Sequence, residues 1–568
     1  MRKVLLVALA VLVAAALALP ASAGPSGQAG TAASAQPSGQ LQSANGEYVV
    51  AYADGVSAAT ARAAIKAAGG TILKENTRVG VATVKSTNPA FITAAGGQSA
   101  LVGAARNRPI GKLPSGAGAP QEDVERLTAA ERATAKSSAS RAGNAPDQEP
   151  LADKQWDMRM IDATPSGSYR VNQGRRGVMV GIMDTGIDGS HPDIKPNFNA
   201  RLSRNFTTDI PLIDDPCEDE PDQSCNDPAD VDENGHGTHV AGLVAAALNG
   251  LGTAGVAPKV TLVNIRAGQD SGFFFLQATV DAMVYAGLVG IDVINMSFFT
   301  DPWLFNCLDN PADSPEEQLE QQTIRVATQR AINFARGHGV TPVAALGNEH
   351  TDLGNPTLDE TSPDFPPGTA RSRTVDNSCI TVPTETRGVI SISALGPSGY
   401  KADYSNYGIE QTDFSAPGGW FRDFFGLPQN RQVENLNLSP MPQALAEEAL
   451  ENPANAPFIV RNCKGSTCAF YQYLQGTSMA SPHAAGVAAL IVSAHGKRDN
   501  QRGGLTLDPR TVERILTKTA KQTPCPSPPN FAYPDDRDPS FDGVCVGTLA
   551  RNGIYGRGVV NALTAVLD

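Results

Sequence analysis

A chain of 568 residues is long enough for more than one domain, and 41% hydrophobic with 18% charged residues is the composition of a soluble globular protein. Its net charge of −13 excludes nucleic acid as an expected partner, because phosphate binding needs a basic face. Solubility accounts for the acidic balance more simply than attraction of cationic substrates does.

Met1-Arg2-Lys3, the apolar run Val4 to Leu19 and the small-residue ending Ala21-Ser22-Ala23 predict a secretory signal peptide over 1–23. The run is shorter than a spanning helix, so a secreted, extracellular protein without a membrane partner is expected. Residues 24–46, rich in Gly, Ala, Ser, Pro and Gln, read as a flexible leader. A strand is predicted over Glu47–Tyr52 and a serine-capped helix over Ser57–Ala68. Gly69-Gly70 ends that helix. Two β-branched strands between Thr71 and Lys85, and a second Ala-rich helix between Pro89 and Ala105, complete a small α+β module over 47–110. From 111 to 150 the composition predicts an exposed linker open to cleavage, with room for a polar helix within Gln121–Lys136.

The large domain, 151–568, alternates short apolar strands with longer helical segments. Strands are expected at Val178–Met183, Val260–Ile265, Val293–Ser297, Thr341–Leu346 and Val389–Ala394. Helices are expected around Val240–Leu248, Leu276–Gly287, Gln321–Gly337, Ala484–Ser493 and Pro509–Thr519. This is the pattern of an α/β fold with a mainly parallel sheet covered on both faces, whose ligands bind at the carboxyl ends of the strands. All eight cysteines lie beyond residue 200, and an even number in an exported chain predicts disulfides. Local pairs Cys217–Cys225, Cys463–Cys468 and Cys525–Cys545 would leave Cys307–Cys379 as a long-range bridge. No pair-of-pairs spacing suggests zinc.

Three strand or helix ends carry chemistry. Asp184, in Asp184-Thr185-Gly186, ends the first strand, where a buried acid can orient an imidazole. Aspartic proteases share this tripeptide, but need a second copy and an all-β body, and neither is present. His236 lies among glycines where a helix begins. His236 and His239 are three apart, yet the glutamate expected between zinc-binding histidines is missing, and His239 reads as a packed helix residue. Asn348 ends a strand in Leu346-Gly347-Asn348, where its amide can donate to an oxyanion. The turn Gly476-Thr477-Ser478 opens into the apolar run Ala484–Val492. That puts Ser478 in a first turn with a free N–H and a favourable dipole, and Pro482 is expected to be tolerated because the first turn needs few donors.

The order Asp184, His236, Ser478 is one of the chain orders of serine-nucleophile triads. With the segments Val180–Gly186, His236–Gly242 and Gly476–His483, and with Gly255–Pro258, Ser415–Gly418 and Tyr555–Ala562, residues 151–568 resemble the subtilisin-like serine proteases, the subtilases. The resemblance implies a three-layer α/β sandwich and endopeptidase activity on protein or peptide substrates. Ser478 would be the nucleophile, His236 the base, Asp184 the orienting acid, and Asn348 an oxyanion donor, with Ser297 and Gly347 as substrate contacts. The chemistry requires no cofactor, and a monomer is expected. The module at 47–110 is similar to the ferredoxin-like subtilase propeptide, an intramolecular inhibitor, so self-cleavage within 111–150 is expected to release the mature enzyme. The alternatives are a non-catalytic binding protein on this fold and a processing protease with one dedicated target.

The chain departs from the family in three ways. Ser297-Phe298-Phe299 stands where the family has Ser-Leu-Gly, which bears on the substrate pockets. Asp193 matches a position that ligates structural calcium in some subtilases, but the usual ligand loop is shortened at Asn249–Thr253, and no metal set is assigned. Insertions occur at 209–233, 301–322 and 420–475. The first, acidic and carrying Cys217 and Cys225, reads as a solvated loop pinned by a disulfide, ahead of the alternatives that it favours basic residues in substrates or binds calcium.

Overall fold

The computed structural model describes residues 46–107, 124–136 and 149–568, apart from 212, 215, 219–222, 367, 501–503 and 534–536. The predicted signal peptide, nearly all of the leader, and residues 111–123 and 137–148 of the predicted linker lie outside the described residues. Among those described, no helix is long and apolar enough to cross a membrane.

The first module runs β1 (Glu47–Tyr52), α1 (Ala58–Ala67), β2 (Thr71–Asn76), β3 (Val81–Lys85), α2 (Phe91–Gly96) and β4 (Leu101–Arg106). Its antiparallel sheet has the order β2-β3-β1-β4. Ser57 caps α1 by accepting from the Thr60 N–H. The expected second helix stops early. Gly96-Gly97 ends α2, and Leu101–Arg106 pairs with β1 as a strand that buries Ala104 and Ala105.

After a short helix α3 (Ala129–Ala133), the large domain contributes β5 (Met179–Met183), β6 (Arg204–Asn205), α4 (His236–Ala245), β7 (Thr261–Arg266), α5 (Leu276–Val289), β8 (Val293–Met296), α6 (Pro315–Gly337), β9 (Thr341–Ala345), β10 (Ile390–Leu395) and β11 (Phe414–Pro417). Their seven-stranded sheet has the order β11-β10-β9-β8-β5-β7-β6, and all of its pairings are parallel. Alternate side chains go to opposite faces. Val180, Ile182, Leu262, Val293 and Val343 pack against α4 and the buried helix α7 (Thr477–His495). Met183, Val263, Ile294 and Ala344 pack against α5 and α6. These are the three layers the sequence led us to expect.

The insertion at 420–475 folds as a small antiparallel sheet, β12 (Asn437–Met441), β13 (Ile459–Lys464) and β14 (Thr467–Leu474), in the order β12-β14-β13. All four disulfides pair as the spacing suggested.

Two expectations fail on burial. Residues 124–136 of the predicted exposed linker are packed, with Glu125, Leu127 and Glu131 buried. Four acids of the acidic insertion turn inward, Asp209, Asp214, Asp227 and Asp232, while Glu218 and Asp230 stay exposed. Arg266 at the end of β7 accounts for two of the four. Its buried guanidinium takes Asp209 at 3.1 Å and Asp270 at 3.0 Å, and also bonds Asp227. Three acids gather there because one cation does.

Candidate active site

The carboxyl edge of the sheet gathers the predicted residues. Asp184 follows β5 directly and is fully buried. Its Oδ1 accepts from the Thr185 N–H at 2.8 Å and lies 2.6 Å from His236 Nδ1. His236 begins α4 after Gly235, whose φ of +90° is costly for any residue with a Cβ. Gly237 is required by closeness instead: a Cβ there would meet the Gly186 carbonyl at 2.1 Å. Glycine thus lets the histidine helix sit against the Asp184 turn.

Asp232, read at first as part of a solvated loop, ties the two segments together. One oxygen accepts from the Thr185 hydroxyl at 3.0 Å and the Gly235 N–H at 2.9 Å. The other accepts from the Thr238 N–H at 2.8 Å and its hydroxyl at 2.6 Å. The only sequence signal was its place two residues before Asn234-Gly235-His236.

Ser478 is the second residue of α7, where an N–H has no acceptor within the helix. The helix starts at Thr477, seven residues earlier than expected, so Pro482 falls beyond the first turn. Proline cannot donate to the Ser478 carbonyl four residues back. The Ser297 hydroxyl donates to that carbonyl instead, at 3.0 Å. The Ser297 carbonyl in turn accepts from Ser478 Oγ at 3.3 Å.

The Asn348 side chain is oriented by Thr477, whose N–H and hydroxyl both donate to Oδ1 at 2.9 Å. That leaves Nδ2 as the donor facing the cleft. Gly347 donates its N–H to the Thr477 hydroxyl at 3.0 Å, and its carbonyl accepts from the Asn406 N–H at 3.0 Å. The two residues expected to touch substrate therefore support the nucleophile helix: Ser297 through its hydroxyl, Gly347 through its N–H. Phe298 and Phe299 are both buried. Phe298 stacks on Phe274 with ring centroids 4.0 Å apart, and Phe299 packs among Phe305, Leu346 and Leu353.

Sequence reasoning missed the group on the far side of His236. Glu125 places Oε2 3.2 Å from His236 Nε2, and its Oε1 accepts from Asn348 Nδ2 at 3.4 Å. Burial works against an imidazolium here, but the carboxylates of Asp184 and Glu125 outweigh it and raise the His236 pKa well above 6.5. A glutamate in a polar stretch has no local signature of such a role.

The remaining metal readings meet occupied groups. His239 Nε2 faces the carbonyls of Asn437 at 3.2 Å and Gln472 at 3.0 Å, and burial pushes its pKa down to about 3. It therefore shares no ligand geometry with His236, whose ring nitrogens face Asp184 and Glu125. Asp209, Asp227 and Asp270 lie close enough to hold an ion, but Arg266 is their cation. Asp193 accepts from Asn249 Nδ2 at 3.0 Å, the Thr253 N–H at 3.2 Å and the Tyr471 hydroxyl at 2.8 Å. Lys464 Nζ donates to the Asn249 carbonyl at 2.5 Å. Those donors and that ammonium do not fit a calcium ion beside Asp193.

The family model described as the subtilase family matches residues 175–552. A nisin leader peptide-processing serine protease of Lactococcus lactis subsp. lactis is 30% identical over 354 residues, 61% of this chain and 45% of that protein. The match thus spans less than half of that relative's length. Subtilisin DY of Bacillus licheniformis is 30% identical over 350 residues, 61% of this chain and 86% of the relative. The solved epidermin leader peptide processing serine protease of Staphylococcus aureus shares the fold with a TM-score of 0.57 at 20% identity, covering 92% of this chain and 97% of the other.

Proposed function

Since the chain belongs to the subtilase family, we propose that it is a secreted serine endopeptidase, made as a self-processed zymogen and acting on protein or peptide substrates as a monomer. The observation that carries this reading is the 2.6 Å contact of Asp184 with His236 Nδ1, beside the helix start that bears Ser478. With Glu125 withdrawn, His236 Nε2 takes the Ser478 proton as Oγ attacks the scissile carbonyl carbon. The imidazolium then protonates the leaving amine, and water hydrolyses the acyl-enzyme by the same steps reversed. Asp184 holds the tautomer with the Nδ1 proton. Asn348 Nδ2 and the Ser478 N–H receive the oxyanion.

The module at 47–107 and the buried Glu125 support the zymogen reading. The test is labelling by a fluorophosphonate probe, wild type against Ser478→Ala: the mature wild type reacts and the variant does not. An unreactive mature wild type would favour a binding protein on this fold. Ser478→Ala protein that still matures when purified alone would refute self-cleavage.

The similarity to a nisin leader peptide-processing protease favours a second reading, a protease dedicated to one leader peptide. Cleavage of a diverse peptide library separates the two, since a dedicated enzyme cuts one narrow sequence class.

A further inference from the structure

The first module and residues 124–136 are anchored on different parts of the large domain. The module docks on α5 and α6: Thr83 donates to Gln277 at 2.6 Å, Lys74 pairs with Asp281 at 2.7 Å, and Arg106 pairs with Glu320 at 2.7 Å. Residues 127–136 are held chiefly by the 420–475 insertion. Leu127 is buried among Phe421, Val433, Leu438 and Phe458. Glu131 pairs with Arg422 at 3.0 Å, and Arg132 donates to Asn455 Oδ1 at 2.7 Å. The Lys136 N–H donates to the Arg431 carbonyl, and the Val433 N–H to the Lys136 carbonyl, each at 2.9 Å. Thr128 and Glu131 close a capping box on α3.

The same insertion ends at Gln475, immediately before the nucleophile turn. Its N–H donates to the Glu125 carbonyl at 3.3 Å, and its Nε2 to the Val124 carbonyl at 3.0 Å. What then faces His236 and Asn348 is a side-chain carboxylate, which has no leaving amine. The group the segment sets between His236 and Asn348 is a carboxylate rather than a peptide carbonyl. Arg126, donating to the Asn234 carbonyl at 3.0 Å, fastens it to the loop before His236.

We propose that the Trp420–Gln475 insertion is a binding site for residues 124–136, and that this segment, with Glu125 between His236 and Asn348, keeps the cleft closed after the first module has been cut away. The proposal rests on the endopeptidase reading and adds where the activating cut must fall. A cut between 107 and 124 removes the module but leaves the segment docked and still joined to the body at residue 149. Only a further cut between 136 and 149 lets it leave.

The test uses the full chain, with a site for a narrow-specificity foreign protease inserted after Gly116, after Gly143, or after both. Fluorophosphonate labelling of Ser478 is followed after cleavage and gel filtration. With the first cut alone, labelling is expected to be at least about tenfold slower than with both, the loss that one charged contact at the base would impose. Glu125→Ala is expected to restore fast labelling with the first cut alone. A synthetic peptide of residues 124–136 should inhibit the doubly cut enzyme, and the same peptide with Glu125→Ala should do so at least about tenfold more weakly. Equal labelling after one cut and two overturns the lock, as does equal inhibition by the two peptides. If the doubly cut protein never labels, the endopeptidase reading itself falls and the lock with it.

Discussion

Ser297 and Ser478 bond to each other in both directions: the Ser297 hydroxyl donates to the Ser478 carbonyl at 3.0 Å, and Ser478 Oγ donates to the Ser297 carbonyl at 3.3 Å. The first bond occupies the carbonyl that Pro482 leaves without a helical donor. Asn295 Nδ2, 2.9 Å from the Ser297 oxygen, fixes that hydroxyl from the other side. Ser478 is thereby placed by the end of β8 as much as by its own helix.

Ser297→Ala leaves a buried carbonyl unpaired, so a loss of about 1–3 kcal/mol of stability is expected. Denaturant unfolding measures it, with labelling of Ser478 as a second readout. A change below about 0.5 kcal/mol, the range of an ordinary surface substitution, would show that the bond does not support the helix.

Asn348→Ala should lower kcat by about 10²–10³ with little change in KM, because an oxyanion donor acts in the transition state. Thr477→Val keeps the amide but removes one of the bonds that orient it. A smaller loss, about 10- to 100-fold, is expected there. Steady-state kinetics on a chromogenic peptide distinguishes them; an Asn348→Ala enzyme as fast as wild type would remove Asn348 from the mechanism.

The pH dependence of the closed form follows from the groups facing His236: Asp184 at Nδ1, Glu125 at Nε2, and the neutral His239 one turn along α4. The folded pKa is raised above the ordinary 6.5, so the stabilisation is fully present below that value and is lost as pH rises through the folded pKa. In protein cut only before residue 124, labelling should therefore speed up as pH rises. Glu125→Ala removes one of the two carboxylates, and the midpoint should move to lower pH. A midpoint that stays put or rises would show that Glu125 does not act on the histidine.

Arg266→Leu leaves the buried carboxylates of Asp209 and Asp227 and the half-buried one of Asp270 without their shared cation. Asp270 already has a pKa raised to about 8, by burial first and by its acidic neighbours. A destabilisation of about 3–5 kcal/mol is expected, larger at neutral than at acidic pH because protonated acids need no cation. Thermal melts at two pH values check both the size and the sign.

The sequence by itself determined the reaction and the layers. Near-continuous apolar runs such as β5 and β7, alternating with longer helical segments, mark strands covered on both faces, and the glycines around His236 and Ser478 are needed locally, so both could be read in short windows. The tertiary structure alone decided which groups stand behind and in front of that chemistry. Asp209, Asp227 and Asp232 lie in an acidic stretch that resembles a solvated loop until burial turns the first two toward Arg266 and the third toward Thr185 and Thr238. Glu125 meets His236 across 111 positions of chain, and only the packing of Leu127 and Glu131 onto the 420–475 insertion brings it there. Contacts between distant segments depend on which surfaces meet, and no local pattern of residues records that. Hence Asp184, His236, Asn348 and Ser478 could be singled out from the chain as candidates, while the Glu125 carboxylate beside His236 emerged only from the fold.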